Sequence, residues 1–92
     1  MEETRFKIEF LDRDTIKQFE KLPNTVQTSL GKAMLTRLEV DPIGHGKPLR
    51  YSLKGHRRLR VGDYLIVYRI DHPKRCVIIV AVDHRKDVYN EF

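Results

Sequence analysis

The sequence holds a single cysteine, no tryptophan, four prolines and five glycines in 92 residues. One cysteine cannot close an internal disulfide, so the chain is expected in a reducing cytoplasm. Set in an apolar run, Cys76 reads as a small buried hydrophobe. Proline and glycine are too scarce for a disordered or collagen-like chain. No apolar run approaches the roughly 18 residues of a membrane-spanning helix. The opening MEETRFKIEF is too acidic and too poor in apolar residues for a secretory signal. Internal repeats and low-complexity tracts are also missing. The length fits one small domain over residues 1–92, with a modest core and little room for a deep cavity.

Several chemistries lack their residues. No serine or cysteine stands in the setting of a nucleophilic triad. Histidines and carboxylates are not spaced as metal ligands, so no metal and no other cofactor is expected. The stretch LKGHRR has one glycine and precedes no helix, so it is not a phosphate loop.

Positive charge is what the chain does have, and it is unevenly spread. Residues 1–43 carry seven Lys/Arg and eight Asp/Glu, net −1, whereas residues 44–92 carry eleven and five, net +6. A basic half-domain fits two readings: a polyanionic partner, or a solvated surface.

Hydrophobic periodicity gives the fold class. Arg5 to Phe10 alternates polar and apolar, the period of a half-buried strand with Phe6, Ile8 and Phe10 inward. Asp12 or Asp14 can cap a helix whose inner face is Ile16, Phe19 and Leu22. Pro23 breaks it and opens a second helix, with a stripe of Val26, Leu30, Met34 and Leu38 beside Ala33. Gly31 costs that helix up to about 1 kcal/mol relative to Ala and is expected to mark close packing. Asp41-Pro42 ends the helix, and Ile43 to Pro48 reads as a loop. Three strands follow: Arg57–Val61, Tyr64–Ile70 and Arg75–Val82, joined by turns at Gly62-Asp63 and Asp71 to Lys74. The expected fold is α+β. An N-terminal strand and a two-helix hairpin precede a three-stranded antiparallel meander, in β-α-α-β-β-β order.

Alternation puts Arg58 and Arg60 on one face of their strand and Leu59 and Val61 on the other. If the last strand ends near the arginine face, Lys54, His56, Arg58, Arg60, His84, Arg85 and Tyr89 line one concavity without a carboxylate. Such a set suits RNA cleavage by the substrate's own 2′-hydroxyl. Arginines neutralise the developing charge, a neutral histidine takes the proton, and tyrosine stacks a base. The same residues also suit a solvated basic sheet face.

The stretches RRLRVGDYLIVYRID and VIIVAVDHRKDVY resemble the RelE group of the RelE/ParE toxin superfamily. The similarity covers nearly the whole chain. It rests most on Arg60 to Tyr64 (RVGDY) and His84 to Tyr89 (HRKDVY). The resemblance implies the toxin of a type II toxin–antitoxin pair, a RelE-like mRNA interferase. Such a toxin cuts mRNA in the ribosomal A site, without metal, by 2′-hydroxyl attack. ParE-type relatives keep the fold and poison DNA gyrase, and a relic that only binds its antitoxin is the remaining alternative. Carried over, Arg58 and Arg60 form the basic pair. Arg85 stabilises charge and protonates the leaving group, Tyr89 positions or stacks the base, and His84 joins the catalytic set. Arg50, Lys54, His56, Arg57 and Lys86 are implied phosphate contacts. Leu65 stands where the family commonly has arginine; either His84, His56 or Arg69 compensates, or activity is weakened or its selectivity changed. The implied partners are a RelB-like antitoxin, in a heterodimer or heterotetramer, and the ribosome with its mRNA and rRNA.

Overall fold

Alternation makes Lys7–Phe10 the first strand, β1, with Phe6, Ile8 and Phe10 packed on the core. This and all that follows come from a computed structural model, which describes residues 5–49 and 55–84. Asp12 caps α1 (Arg13–Glu20): its carboxylate accepts from Thr15 N at 2.9 Å and Thr15 Oγ1 at 2.8 Å. These bonds hold the Asp12 carboxyl below its ordinary pKa. The inner face of α1 is as the apolar spacing suggests at Phe19 and Leu22 and departs from it in the first turn. Thr15 is buried and Ile16 is exposed, while Phe19 and Leu22 pack on the core. The cap fixes this phase, and so does Gln18, whose Oε1 accepts from Val82 N at 3.0 Å.

Pro23 occupies the N-cap of α2 (Asn24–Ala33). Gln27 closes the joint between the helices by donating to the carbonyls of Glu20 (3.0 Å) and Leu22 (2.8 Å) at the end of α1. Leu30, Ala33, Met34 and Leu38 are buried as their spacing requires. Gly31 is a correction: among the described residues a Cβ there would meet nothing within 4 Å, so it marks no close packing with them. The helix continues as a π turn over Met34–Leu38, closed by the bond from Glu39 N to Met34 O at 2.9 Å.

The stretch expected as a loop is ordered. Pro42–His45 forms α3, with proline in its first turn and Asp41 Oδ1 accepting from Gly44 N at 2.9 Å. Lys47–Pro48 forms β2. Then come β3 (Arg57–Val61), β4 (Tyr64–Asp71) and β5 (Cys76–His84).

The sheet order is β1-β5-β4-β3-β2. The meander β3-β4-β5 is antiparallel as its short turns demand, whereas β1 joins the far edge parallel to β5. The helices cover one face, where Leu30, Met34 and Leu38 meet Leu59, Ile66, Tyr68, Val77, Ile79 and Val82. Leu65, Val67 and Ala81 form a second buried cluster, with Leu49 and Val80 against it. The register slips between Val67 and Tyr68. Val67 pairs with Ala81 and Tyr68 with Ile79, which leaves Val80 as an extra residue. The expected β-α-α-β-β-β order holds, with α3 and β2 added between its halves.

Candidate functional site

Strand β3 sorts its arginines by alternation. Leu59 and Val61 pack into the helix-side core, so Arg58 and Arg60 share the other face. Across the ladders Arg58 stands opposite Val67 on one side and Lys47 on the other, and Arg60 stands opposite Leu65. β2 is only two residues long, so beyond Arg58 no described strand pairs with that edge of β3. A cleft of about 320 Å³ opens there, lined by Arg37, His45, Lys47, Arg58, Leu59, Arg60 and Leu65. Five of these seven side chains are basic, and no carboxylate lines the cleft among the described residues.

The wall opposite β3 is held by a buried network. Tyr68 is fully buried on β4 and its hydroxyl donates to Pro42 O at 2.5 Å. Gly46 lies so close that a Cβ would sit 1.7 Å from that hydroxyl oxygen and 3.0 Å from Arg58 O. Arg57 Nη2 donates to Ile43 O at 2.6 Å and Gly46 O at 3.0 Å, satisfying carbonyls at the end of α3. Burial pushes the Tyr68 hydroxyl above its ordinary pKa, opposed in part by Arg57.

The sequence-derived set is thus divided. Arg58 and Arg60 come together. Arg57 lies on the helix side with its guanidinium committed to two backbone carbonyls. His56 borders a different cavity of about 540 Å³ with Ile43, Pro48, Leu49, Arg57, Ile70 and His72, and its Nδ1 is buried without a partner among the described residues. The expectation that His84 joins the arginines is corrected. His84 pairs with Tyr64, which packs on the helix-side core, and the two rings meet edge to face at 5.6 Å. Arg50, Lys54, Arg85, Lys86 and Tyr89 lie outside the described residues. Leu65 is buried on the cleft floor beside Val67 and Ala81, and Arg69 is exposed on β4 opposite Ile78.

Sequence reasoning passed over Arg37, His45 and Lys47. Their signal was faint: a basic residue late in a helix, and GHGK directly before a strand. Burial, with Glu9 adding to it, pushes the Cys76 thiol up and away from the thiolate a nucleophile needs. Among the described residues no group of three His, Cys, Asp or Glu is placed to hold a metal ion. No described helix is long and apolar enough to cross a membrane.

The chain is similar in sequence and fold to known proteins. Residues 10–89 match the family model of the ParE toxin of the type II toxin–antitoxin system, parDE. Toxin RelG of Mycobacterium tuberculosis is 37% identical over 73 residues, which is 79% of this chain and 84% of the relative. In the toxin–antitoxin complex RelBE2 from Mycobacterium tuberculosis, the matching chain superposes with a TM-score of 0.81 at 31% identity. The match covers 91% of this chain and 95% of that one. The isolated E. coli RelE toxin superposes with a TM-score of 0.72 at 28% identity, over 94% and 93% of the two chains. A model spanning most of the chain, a curated relative and the fold of solved toxins agree, and the chain belongs to the RelE/ParE superfamily as a RelE-type toxin of a type II toxin–antitoxin system.

Proposed function

We propose that this toxin is a ribosome-dependent endoribonuclease that cuts mRNA in the A site by attack of the 2′-hydroxyl on the adjacent phosphate, without metal. The observation that carries this reading is Arg58 and Arg60 side by side at a cleft whose other polar walls are basic. Attack of a 2′-oxygen builds negative charge on the phosphate oxygens, and guanidinium groups fixed on a strand stabilise it without reorganising. Arg85 would add charge at the leaving oxygen and help protonate it, and Tyr89 would stack the base. A free domain this small has little surface with which to orient RNA, so the ribosome would supply the missing positioning.

The partner in the cell would be an antitoxin. The matching chains in RelBE2 of Mycobacterium tuberculosis and in RelBE of E. coli belong to toxin–antitoxin complexes. An acidic segment that orders on binding would neutralise the basic half of this chain, its ordering entropy offset by ion pairing and apolar burial.

The test is cleavage of mRNA on programmed ribosomes by wild type and by Arg60→Ala, with circular dichroism to check the fold. Site-specific cuts, reduced about a hundredfold or more by the substitution, are expected. A folded wild type that leaves mRNA intact would overturn the reading. The second reading, a ParE-like gyrase poison, draws on Leu65. Its burial beside Val67 and Ala81 leaves the cleft without a cation at that position. Growth arrest with DNA-damage filamentation and intact translation would support it.

A further inference from the structure

Arg37, His45 and Lys47 come from three separate elements, the π turn, α3 and β2, and meet in the cleft that Arg58 and Arg60 border. We infer that this end of the cleft is a second phosphate-binding station, which holds the RNA backbone at a nucleotide flanking the one cut at Arg58 and Arg60. The inference rests on the ribonuclease reading above and extends the substrate contact beyond the scissile phosphate.

Spacing is the first argument. Lys47 lies directly opposite Arg58, about 4.8 Å away across the ladder. Arg60 lies two residues further along β3, about 6.8 Å by strand rise. Arg37 and His45 approach from the helical side. The basic lining comes from four elements, and its four arginine and lysine side chains exceed the single charge of one phosphodiester, whereas consecutive phosphates of a single strand would engage them in turn.

The second argument is rigidity. The segment from Pro42 to Lys47 is fixed at three points: Asp41 on Gly44 N, Tyr68 on Pro42 O, and Arg57 on the carbonyls of Ile43 and Gly46. Gly46 is required for its approach to Tyr68. None of these anchors belongs to the proposed chemistry, yet together they hold His45 and Lys47 beside the arginine pair. Such preorganisation lowers the entropy of gripping a flexible strand. Arg37 sits on a π turn, a feature that recurs at functional sites.

The third argument is charge. Four arginine and lysine side chains and one histidine line the cleft, and no carboxylate lines it among the described residues, which favours an anionic ligand. RNA fits better than an acidic peptide. Leu59 and Leu65 are the cleft's only described apolar lining, too little to anchor a segment that must order as it binds.

The test uses RNA oligonucleotides of two and six nucleotides, with 2′-O-methyl substitution at every position to prevent attack by the 2′-oxygen. Affinity is read by fluorescence anisotropy across a salt series. Wild type is expected to bind the longer strand roughly tenfold more tightly. The paired variant Arg37→Gln/Lys47→Gln should lose that gain and lower the salt slope by about 0.7 per contact removed. Lys74→Gln, on the exposed β4–β5 turn, should keep both. A variant that retains the length-dependent gain, or a wild type that shows none, overturns the inference. So does unchanged RNA affinity with weakened antitoxin binding, which would assign the cleft to an acidic protein. Failure of the ribonuclease reading itself would show separately, as intact mRNA on ribosomes treated with wild type.

Discussion

His84 faces Tyr64 across the β4–β5 ladder, ring to ring at 5.6 Å, on the side of the sheet that the helices cover. The cause lies four residues earlier, at Val80. Up to Ile79 the pairing keeps one register with β4; Val80 is inserted, and from Ala81 onward every side chain has changed face. Without the bulge, Tyr64 would pair with Asp83 and His84 would fall on the arginine face. The bulge therefore sets which strand-end side chain stands in the row of Arg60 and Leu65, and it is Asp83.

A substitution separates the two roles that His84 can have. His84→Ala is expected to leave ribosome-dependent cleavage within the same order of magnitude as wild type. It should lower stability by about 1 kcal/mol, the worth of an edge-to-face aromatic contact. Cleavage rates on programmed ribosomes together with urea denaturation read both quantities. A loss of cleavage as deep as that of Arg60→Ala, with stability unchanged, would return His84 to the reacting phosphate.

The sequence made some of this legible and concealed the rest for physical reasons. Alternation from Arg58 to Val61 is visible because Arg58 and Arg60 share one strand face and Leu59 and Val61 the other, and the structure places those faces as read. CVIIVAV shows no alternation, because β5 is central and apolar on both faces. A parity change inside such a run leaves no trace in polarity. Residues Ile43 to Pro48 read as a loop because Gly44, Gly46 and Pro48 are turn residues. Their order depends on Tyr68 and Arg57, more than ten residues away, which no local pattern reports. Arg37 was invisible as a site residue because a single exposed arginine late in a helix looks the same whether or not a strand edge lies beside it.

Gly46 and Tyr68 form a coupled pair. Gly46→Ala would place a Cβ 1.7 Å from the Tyr68 hydroxyl oxygen and 2.8 Å from its ring carbon, so the α3–β2 segment must shift. A loss of about 1–3 kcal/mol is expected. Tyr68→Phe removes the oxygen but leaves Pro42 O without its donor, a cost of about 1–3 kcal/mol. The double variant should cost less than the two losses added, because the methyl then fills the space that the hydroxyl vacates. Chemical denaturation of all four proteins closes the cycle. Simple additivity would mean that the close approach carries no strain.

Alkaline pH tests the same hydroxyl. Burial raises the Tyr68 pKa above its ordinary 10.0, outweighing the opposing pull of Arg57. The folded value lies above the unfolded one, so the folded state holds the proton more tightly. The contribution to stability is complete below pH 10 and falls as pH rises through the folded value. Stability measured from pH 8 upward should therefore drop beyond pH 10. The gap between wild type and Tyr68→Phe should narrow over the same range. A constant gap would mean that Tyr68 ionises alike in both states.

Gly31 offers a gain rather than a loss. It lies inside α2, where glycine costs about 0.8–1.0 kcal/mol relative to alanine through unfolded-chain entropy. A Cβ at this position meets nothing within 4 Å among the described residues, so no packing term from them opposes the change. Gly31→Ala is expected to stabilise the fold by about 0.4–1 kcal/mol, raising Tm by several degrees in a domain of this size. Cleavage should be unchanged, since Gly31 lines none of the cleft that Arg58 and Arg60 share. A lowered Tm would show that α2 packs at Gly31 more tightly than the open space around it allows, and differential scanning calorimetry of the single variant decides it.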